Sequence, residues 1–389
     1  MKIGYSYWGY LGDIKYDKHG KIASTPDGNA FYSWSIIREL QKRGNEVIQV
    51  MPDRDAVGFS LCRGDLFDSW CKEDRLKAYN DMTKMYTECK DWSNVKHGDL
   101  FEIWNKYGLN ECEFILHEWR MFIPGRNDDK SIQPDFFIQQ RLIEYCAENN
   151  ITLIIFDLDY KITKQEFENL TFINKKTYLF ELGYKWKDYK NAKHVEIPFD
   201  FNKINTFEIN HYKTNTKNLV YIGNRYERDW CIDKYIPTEI RDVKVFGNWN
   251  ENGRDSKTKW PNINFGSRLQ TVDMFYEYNT SLCTILLAKK EYLDNGFMTA
   301  RIIESVFYGC IPLIIEEYGD YCIYKYFGDL ANDLVVHSKA DVIDLIYYFK
   351  EHTGVRKAYI DYLRKYLSFM DAKFFLGKIE EVLKEVGEE

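Results

Sequence analysis

The sequence predicts an α/β protein of two successive halves, each a parallel sheet flanked by helices. Three observations carry that expectation. Short apolar runs bounded by turn residues alternate with segments of helical period, as where Ile151–Phe156 follows Pro134–Asn149. The opening order of strand, loop, helix and strand, from Lys2–Trp8 to Glu46–Met51, calls for a crossover and hence a parallel pair. Between Pro198 and Asn218 the periodicity lapses, and a new strand-helix series begins at Leu219. The 389 residues give each half an ordinary domain size.

Taken in order, Lys2–Trp8 is a β-prone strand that enters a long loop, Gly9 to Gly28. A helix over Ala30–Arg43 follows, with Phe31, Trp34, Ile37 and Leu40 on one side and Gly44 ending it. The ligand side of a parallel sheet is the crest at the strand carboxyl ends, so the Gly9–Gly28 loop lies over it. Pro26 and Asp27 suit a helix start, and Gly28 lets the backbone approach a ligand. Asp27 reads as an N-cap or as a carboxylate that handles an acceptor hydroxyl; Asp13 and Asp17 are candidates of the same kind. Pro52 to Leu109 reads as an insertion or cap, with a charged helix over Lys72–Lys90.

Cys112–Leu116 is the next strand, and His117 and Glu118 come just past its end, either for chemistry or as sheet caps. The apolar strand Ile151–Phe156 runs into Asp157-Leu158-Asp159, where Asp157 is placed for acid–base work or for capping. Thr177–Leu182 and His194–Ile197 bring the first sheet to about six strands. The second series opens with Leu219–Gly223, followed by Asn224 and Arg225. Val243–Phe246, Leu282–Leu287 and Leu334–His337 read as further strands, with helices over Ala340–Glu351 and Val355–Val386. Trp249, just after Val243–Phe246, either packs or stacks on a base or sugar.

Composition narrows the functional classes. Hydrophobic residues at 45% and charged residues at 29% are those of a globular domain. A net charge of −7 argues against a protein that coats nucleic acid, while leaving room for a local basic groove. No apolar run approaches a membrane span, no leader precedes the first strand, and nine scattered Cys without a C-x-x-C pair read as reduced thiols. A cytoplasmic protein without membrane contact is the expectation. No Cys/His cluster points to zinc, and metal dependence is not indicated.

The most informative stretch is Asn295–Ile315, NGFMTARIIESVFYGCIPLII. Ala300, Ile303, Val306 and Phe307 recur at helical spacing, Gly309 suits a left-handed cap, and Ile311–Ile315 suits a fully buried strand. Arg301 and Glu304 share one helix face near its N-terminus, so one cation and one carboxylate lie together. That pair matches a phosphate and a pair of sugar hydroxyls.

An Arg-x-x-Glu helix ending in Gly-x-Ile-Pro resembles the nucleotide-sugar motif of GT-B glycosyltransferases. The resemblance implies two Rossmann-like domains facing each other across a cleft: 1–200 for the acceptor, 215–355 for the donor, and C-terminal helices 356–389 that cross back to the first. It implies that Glu304 holds the donor ribose and that basic residues hold its diphosphate, with Gly223, Arg225 and Arg301 as the donor set. Asp27, Glu118 and Asp157 are then candidates for the base, and Asp13, Gly28, His117 and Lys187 for acceptor binding. A nucleotide-sugar, UDP-linked by preference, is the substrate, and no cofactor is called for. The frequent retaining pattern has a second Glu eight residues before the ribose Glu; here that position is Gly296, a departure that leaves the stereochemistry open and mildly favours inversion.

The start Gly-Tyr-Ser-Tyr-Trp-Gly, followed by Ser-Thr-Pro-Asp-Gly-Asn-Ala-Phe-Tyr-Ser-Trp-Ser, is similar to bacteriophage proteins that glycosylate hydroxymethylated pyrimidines in DNA. That resemblance implies double-stranded DNA with modified bases as a partner, and host cytoplasm as the location. Lys185, Lys187, Lys190, Lys193 and Lys203, interleaved with Tyr184, Trp186 and Tyr189, form a basic-aromatic stretch of the kind an everted base and its phosphates need. A glycosyltransferase acting on a polysaccharide or small molecule, and a non-enzymatic nucleotide-sugar-binding protein, are the alternatives.

Overall fold

The computed structural model describes residues 1–6, 28–49, 97–106, 108–119, 134–201, 217–250, 255–269 and 271–388. The chain divides into two compact units, Met1–Asp200 with Met370–Glu389, and Phe201–Phe369. The readings placed on Asp13, Asp17, Asp27, Lys72–Lys90 and Lys203 fall outside the described residues.

The first unit is built on a six-stranded parallel sheet. Its strands are β1 (Lys2–Ser6), β2 (Glu46–Gln49), β3 (Phe114–Glu118), β4 (Thr152–Asp157), β5 (Thr177–Glu181) and β6 (Ala192–His194). Their order is β2-β1-β3-β4-β5-β6, and every pairing is parallel. Strands β3, β4 and β5 are buried at every residue, as a sheet covered on both faces requires. One face packs Ile115, Leu153, Ile155 and Leu179 against Leu142, Cys146, Phe167 and Trp186. On the opposite face Phe156 and Phe180 meet Phe375 of helix Ala372–Glu388 edge-on. That helix is tied to the unit by Arg43–Glu380 at 2.5 Å and Lys193–Glu385 at 2.6 Å.

Two local features differ from the sequence reading. β3 begins and ends two residues later than expected, because Cys112 closes the 3-10 turn Leu109–Glu111 by donating its N–H to Leu109. His117 and Glu118 therefore belong to the strand itself. Helix Lys164–Ile173 shows little apolar period, since only Phe167 and Leu170 are buried; a Thr163–Glu166 capping box starts it.

The second unit repeats the plan. Its strands are β7 (Lys217–Ile222), β8 (Val243–Phe246), β9 (Asn264–Gly266), β10 (Ser281–Leu286), β11 (Ile311–Ile315) and β12 (Val335–Val336). The order β12-β11-β10-β7-β8-β9 is parallel throughout. Counted from β7 this is the 3-2-1-4-5-6 order of the dinucleotide-binding fold, whose chain reverses direction across the sheet between β7 and β10. The corresponding reversal in the first unit lies between β1 and β3. Ligands of such sheets bind outside the strand carboxyl ends at these points. Helix Thr353–Tyr366 groups with the second unit and helix Ala372–Glu388 with the first. Among the described residues, six cysteines are free and buried, and no helix is long and apolar enough to cross a membrane.

Candidate functional site

At the crest of the second sheet, β7 delivers Gly223 to the switch point. The Arg301 Nε donates to the Ile222 carbonyl, so the guanidinium lies against the end of this central strand. A Cβ at position 223 would overlap the Tyr221 hydroxyl and come within 3.2 Å of Arg301 Nε. Glycine is required there for the arginine to approach. Trp249 is fully buried, donates its indole N–H to the Gly223 carbonyl at 2.7 Å and packs against Trp260 and Phe265. Of its two readings, packing is the one observed.

Two arginines follow Gly223, and their surroundings differ. Arg225 is paired in bidentate fashion with Asp229, Nε to Oδ1 at 2.7 Å and Nη2 to Oδ2 at 2.6 Å, and its guanidinium lies 5.3 Å from the Trp260 ring centre. Asp229 is held below the ordinary carboxylate range chiefly by that hydrogen bond. Arg228 is 5% exposed and has no carboxylate partner among the described residues. Its Nη1 donates to the carbonyls of Asn224 at 3.0 Å and Tyr226 at 3.2 Å, and among the described residues its Nε has no acceptor. The hydroxyls of Tyr221, Tyr318 and Thr299 are also buried without a partner among the described residues. The Tyr318 phenol is pushed up by burial first, while the charges of Arg228 and Arg301 pull it down. Two cations and an orphaned phenol thus belong to one neighbourhood.

The helix that carries the motif, Arg301–Phe307, is seven residues long, with Gly309 at φ +78° reversing the chain into β11. Arg301 is its first residue and Glu304 lies one turn on. Glu304 and Arg301 act with opposite sign on Tyr278, whose phenol burial already holds well above its usual range. Sequence reasoning missed Arg228. The i,i+4 spacing of Arg225 and Asp229 points to Arg225 as paired, but nothing local in the sequence marks Arg228.

At the crest of the first sheet His117, Glu118, Asp157 and Glu181 each make hydrogen bonds, while the Trp119 indole N–H is buried with no acceptor among the described residues. Ser6 and His117 are register partners at the ends of β1 and β3. His117 is 4% exposed, with Nδ1 3.0 Å from Ser6 Oγ and Nε2 2.6 Å from Gln139 Oε1. Glu118 points to the opposite face, where it accepts from the Tyr5 hydroxyl at 2.7 Å and from Ser33 Oγ. Asp157 and Glu181 are register partners on β4 and β5. Asp157 accepts the N–H groups of Lys161 and Ile162, and Glu181 those of Lys185 and Trp186. Burial raises both, Glu181 to about 7, against the pull of these N–H groups and of Lys185.

Gly28 is the first residue of helix Gly28–Lys42. Lys187 is exposed in the turn between β5 and β6. The basic-aromatic stretch around it is largely spent on packing. Trp186 is in the core, Lys185 donates to the Ile162 carbonyl at 3.2 Å, Tyr184 stacks on His194 and Lys193 pairs with Glu385. Among the described residues no group of three His, Cys, Asp or Glu is placed to hold a metal ion.

No family model matches the chain, and comparison with curated protein sequences returns no match. Solved structures do match. An alpha-glucosyltransferase in complex with UDP and a 13-mer DNA containing a central A:G mismatch superposes with TM-score 0.58 at 11% identity, over 98% of this chain and 99% of that one. The Anabaena HepE protein in complex with UDP-glucose gives TM-score 0.53 at 10% identity, over 99% and 100%. The Thermobaculum terrenum O-GlcNAc transferase gives 0.52 at 12% identity, over 99% of this chain and 67% of that one. Likeness at these identities establishes a shared fold: the chain has the GT-B fold, with two Rossmann-like units.

Proposed function

We propose that the protein is a GT-B glycosyltransferase that moves a sugar from a UDP-linked donor to a hydroxyl acceptor. The observation that carries this is the second unit's crest, where Arg301 lies on the end of β7 beside Gly223 and a nearly buried Arg228 has no carboxylate partner among the described residues. Loss of a nucleoside diphosphate builds negative charge at the leaving group, and cations already desolvated and oriented stabilise it without reorganising. Glu304, beside Arg301, accepts the ribose hydroxyls. Arg225 is spoken for by Asp229, so Arg228 and Arg301 are the diphosphate cations, and Arg225 braces the loop between them.

The acceptor side belongs to the first unit, with Gly28, His117, Lys187 and Asp13 as its contacts. An acceptor hydroxyl needs a carboxylate to take its proton. Glu118 is held between two hydroxyls, and both Asp157 oxygens accept main-chain N–H groups. Both therefore act by fixing the crest, and Asp27 is the base. A hydroxymethylated pyrimidine in duplex DNA is the acceptor favoured by the N-terminal sequence resemblance, and a structural neighbour with DNA in its complex supports it. The test is mass spectrometry of hydroxymethylpyrimidine duplex DNA incubated with the protein and a panel of UDP-sugars. A hexose or pentose mass gain on the base is expected. UDP binding without any gain would move the acceptor to a carbohydrate or small molecule.

A further inference from the structure

The C-terminal end of helix Arg301–Phe307 is gripped from outside. The chain leaves it through paired reversal bonds, Cys310 N–H to the Ser305 carbonyl at 2.9 Å and Gly309 N–H to the Val306 carbonyl at 3.2 Å. The next three carbonyls, those of Phe307, Tyr308 and Gly309, each accept a side-chain donor. Arg364 Nη2 donates to Phe307, Asn279 Nδ2 to Tyr308 at 3.3 Å, and Arg356 Nη2 to Gly309 at 2.8 Å. Both arginines come from helix Thr353–Tyr366, about two turns apart, and Asn279 ends helix Thr271–Asn279. Arg356 is 3% exposed, and the half-buried Arg364 guanidinium lies 5.4 Å from the Phe307 ring centre.

Desolvating two guanidiniums is costly, and apolar side chains would fill the same space. The negative end of a helix offsets part of that cost. What the arginines add is direction. A helix of seven residues does not hold itself in water; Ile302, Ile303, Val306 and Phe307 bury its apolar face, and the groups that grip its end fix its direction along that face. Arg301 and Glu304 stand at its other end.

We propose that Arg356, Arg364 and Asn279 are positioning residues for the donor: by clamping the carbonyls of Phe307, Tyr308 and Gly309 they preset Arg301 and Glu304 for a nucleoside diphosphate. This rests on the reading of Arg301 and Glu304 as donor contacts. When the grip is loosened, the helix populates other poses, and apparent affinity falls by the fraction that remains competent. Turnover from the correct pose is unchanged.

The test is calorimetric titration of the full-length protein with UDP, together with KM and kcat for consumption of a UDP-sugar. Arg364→Met and Arg356→Met are expected to raise the UDP Kd and the donor KM by about tenfold each with kcat retained, and Asn279→Ala by about threefold. Arg364→Lys, which still donates to a carbonyl, restores most of the loss. If Arg356→Met does not fold, Arg364→Met and Asn279→Ala carry the same comparison. A lower Tm with KM and Kd unchanged overturns the positioning role. Glu304→Ala separates the two readings. Weakened UDP binding there beside an unchanged Arg364→Met overturns the grip alone; unchanged binding in both overturns the donor reading and the grip with it.

Discussion

The two crests are built on the same sheet plan and are finished in opposite ways. At the first, Glu118, Asp157 and Glu181 accept from hydroxyl or main-chain donors, and His117 lies between the Ser6 hydroxyl and the Gln139 Oε1, which accepts from its ring N–H. At the second, a buried arginine Nε and the hydroxyls of Tyr221, Tyr318 and Thr299 have no partner among the described residues. A satisfied buried network is rigid and adds little by gaining a ligand, whereas orphaned donors cost about 1–3 kcal/mol each until something accepts from them. On that ground we propose anion recognition at the second crest and a structural role for Glu118, Asp157 and Glu181 at the first.

The largest expected effect is that of Asp27. Asp27→Asn should lower turnover by about 100- to 10,000-fold while UDP affinity stays as it was, checked by steady-state kinetics beside calorimetry. Near-normal turnover would return the role of base to Glu118 or Asp157 and dissolve the distinction between shape and chemistry at the first crest. Next in size, Glu118→Ala should destabilise the fold by about 2–4 kcal/mol in urea unfolding, because the buried carboxylate that accepts from the Tyr5 and Ser33 hydroxyls is lost. An unchanged midpoint would show that the network does not hold the crest.

The Asp157–Glu181 pair gives a sharper, smaller signature. Burial raises Glu181 from 4.5 to about 7, and Asp157 moves the same way, while Lys161 and Lys185 oppose the shift. A carboxyl that binds its proton more tightly when folded stabilises most below its unfolded value. That stability is lost as pH rises through the folded value. The Tm of the wild type should therefore fall between pH 4.5 and 7 more steeply than that of Glu181→Gln. Parallel slopes would contradict the upward shift that burial gives Glu181. Smallest of all, Arg225→Ala should cost about 0.5–1 kcal/mol of stability through its lost Asp229 pair and change UDP affinity less than threefold.

Some of this was legible in the sequence, for physical reasons. Ile311–Ile315 is read to the residue because every one of its side chains is buried, and Gly309 and Glu316 bound it. The strand before His117 is misread by two residues because a 3-10 turn uses Cys112, and apolar patterning does not distinguish a turn from a strand start. β9, Asn264–Gly266, is too short and too polar to show as an edge strand. Arg301 and Glu304 are found from spacing because a helix face is a local property. Arg228 is not, because what singles it out is the absence of a charge partner among the described residues, and partners are set by tertiary packing. The same holds for Arg356, Arg364 and Asn279, whose acceptors are distant in sequence.

The most direct test of the central claim compares UDP with uridine by calorimetry on the wild type and on Arg228→Met. If the second crest recognises a diphosphate, UDP binds the wild type about 100-fold more tightly than uridine, and Arg228→Met closes most of that gap with uridine affinity unchanged. Equal affinity for UDP and uridine in the wild type, or a gap that survives Arg228→Met, would contradict the account.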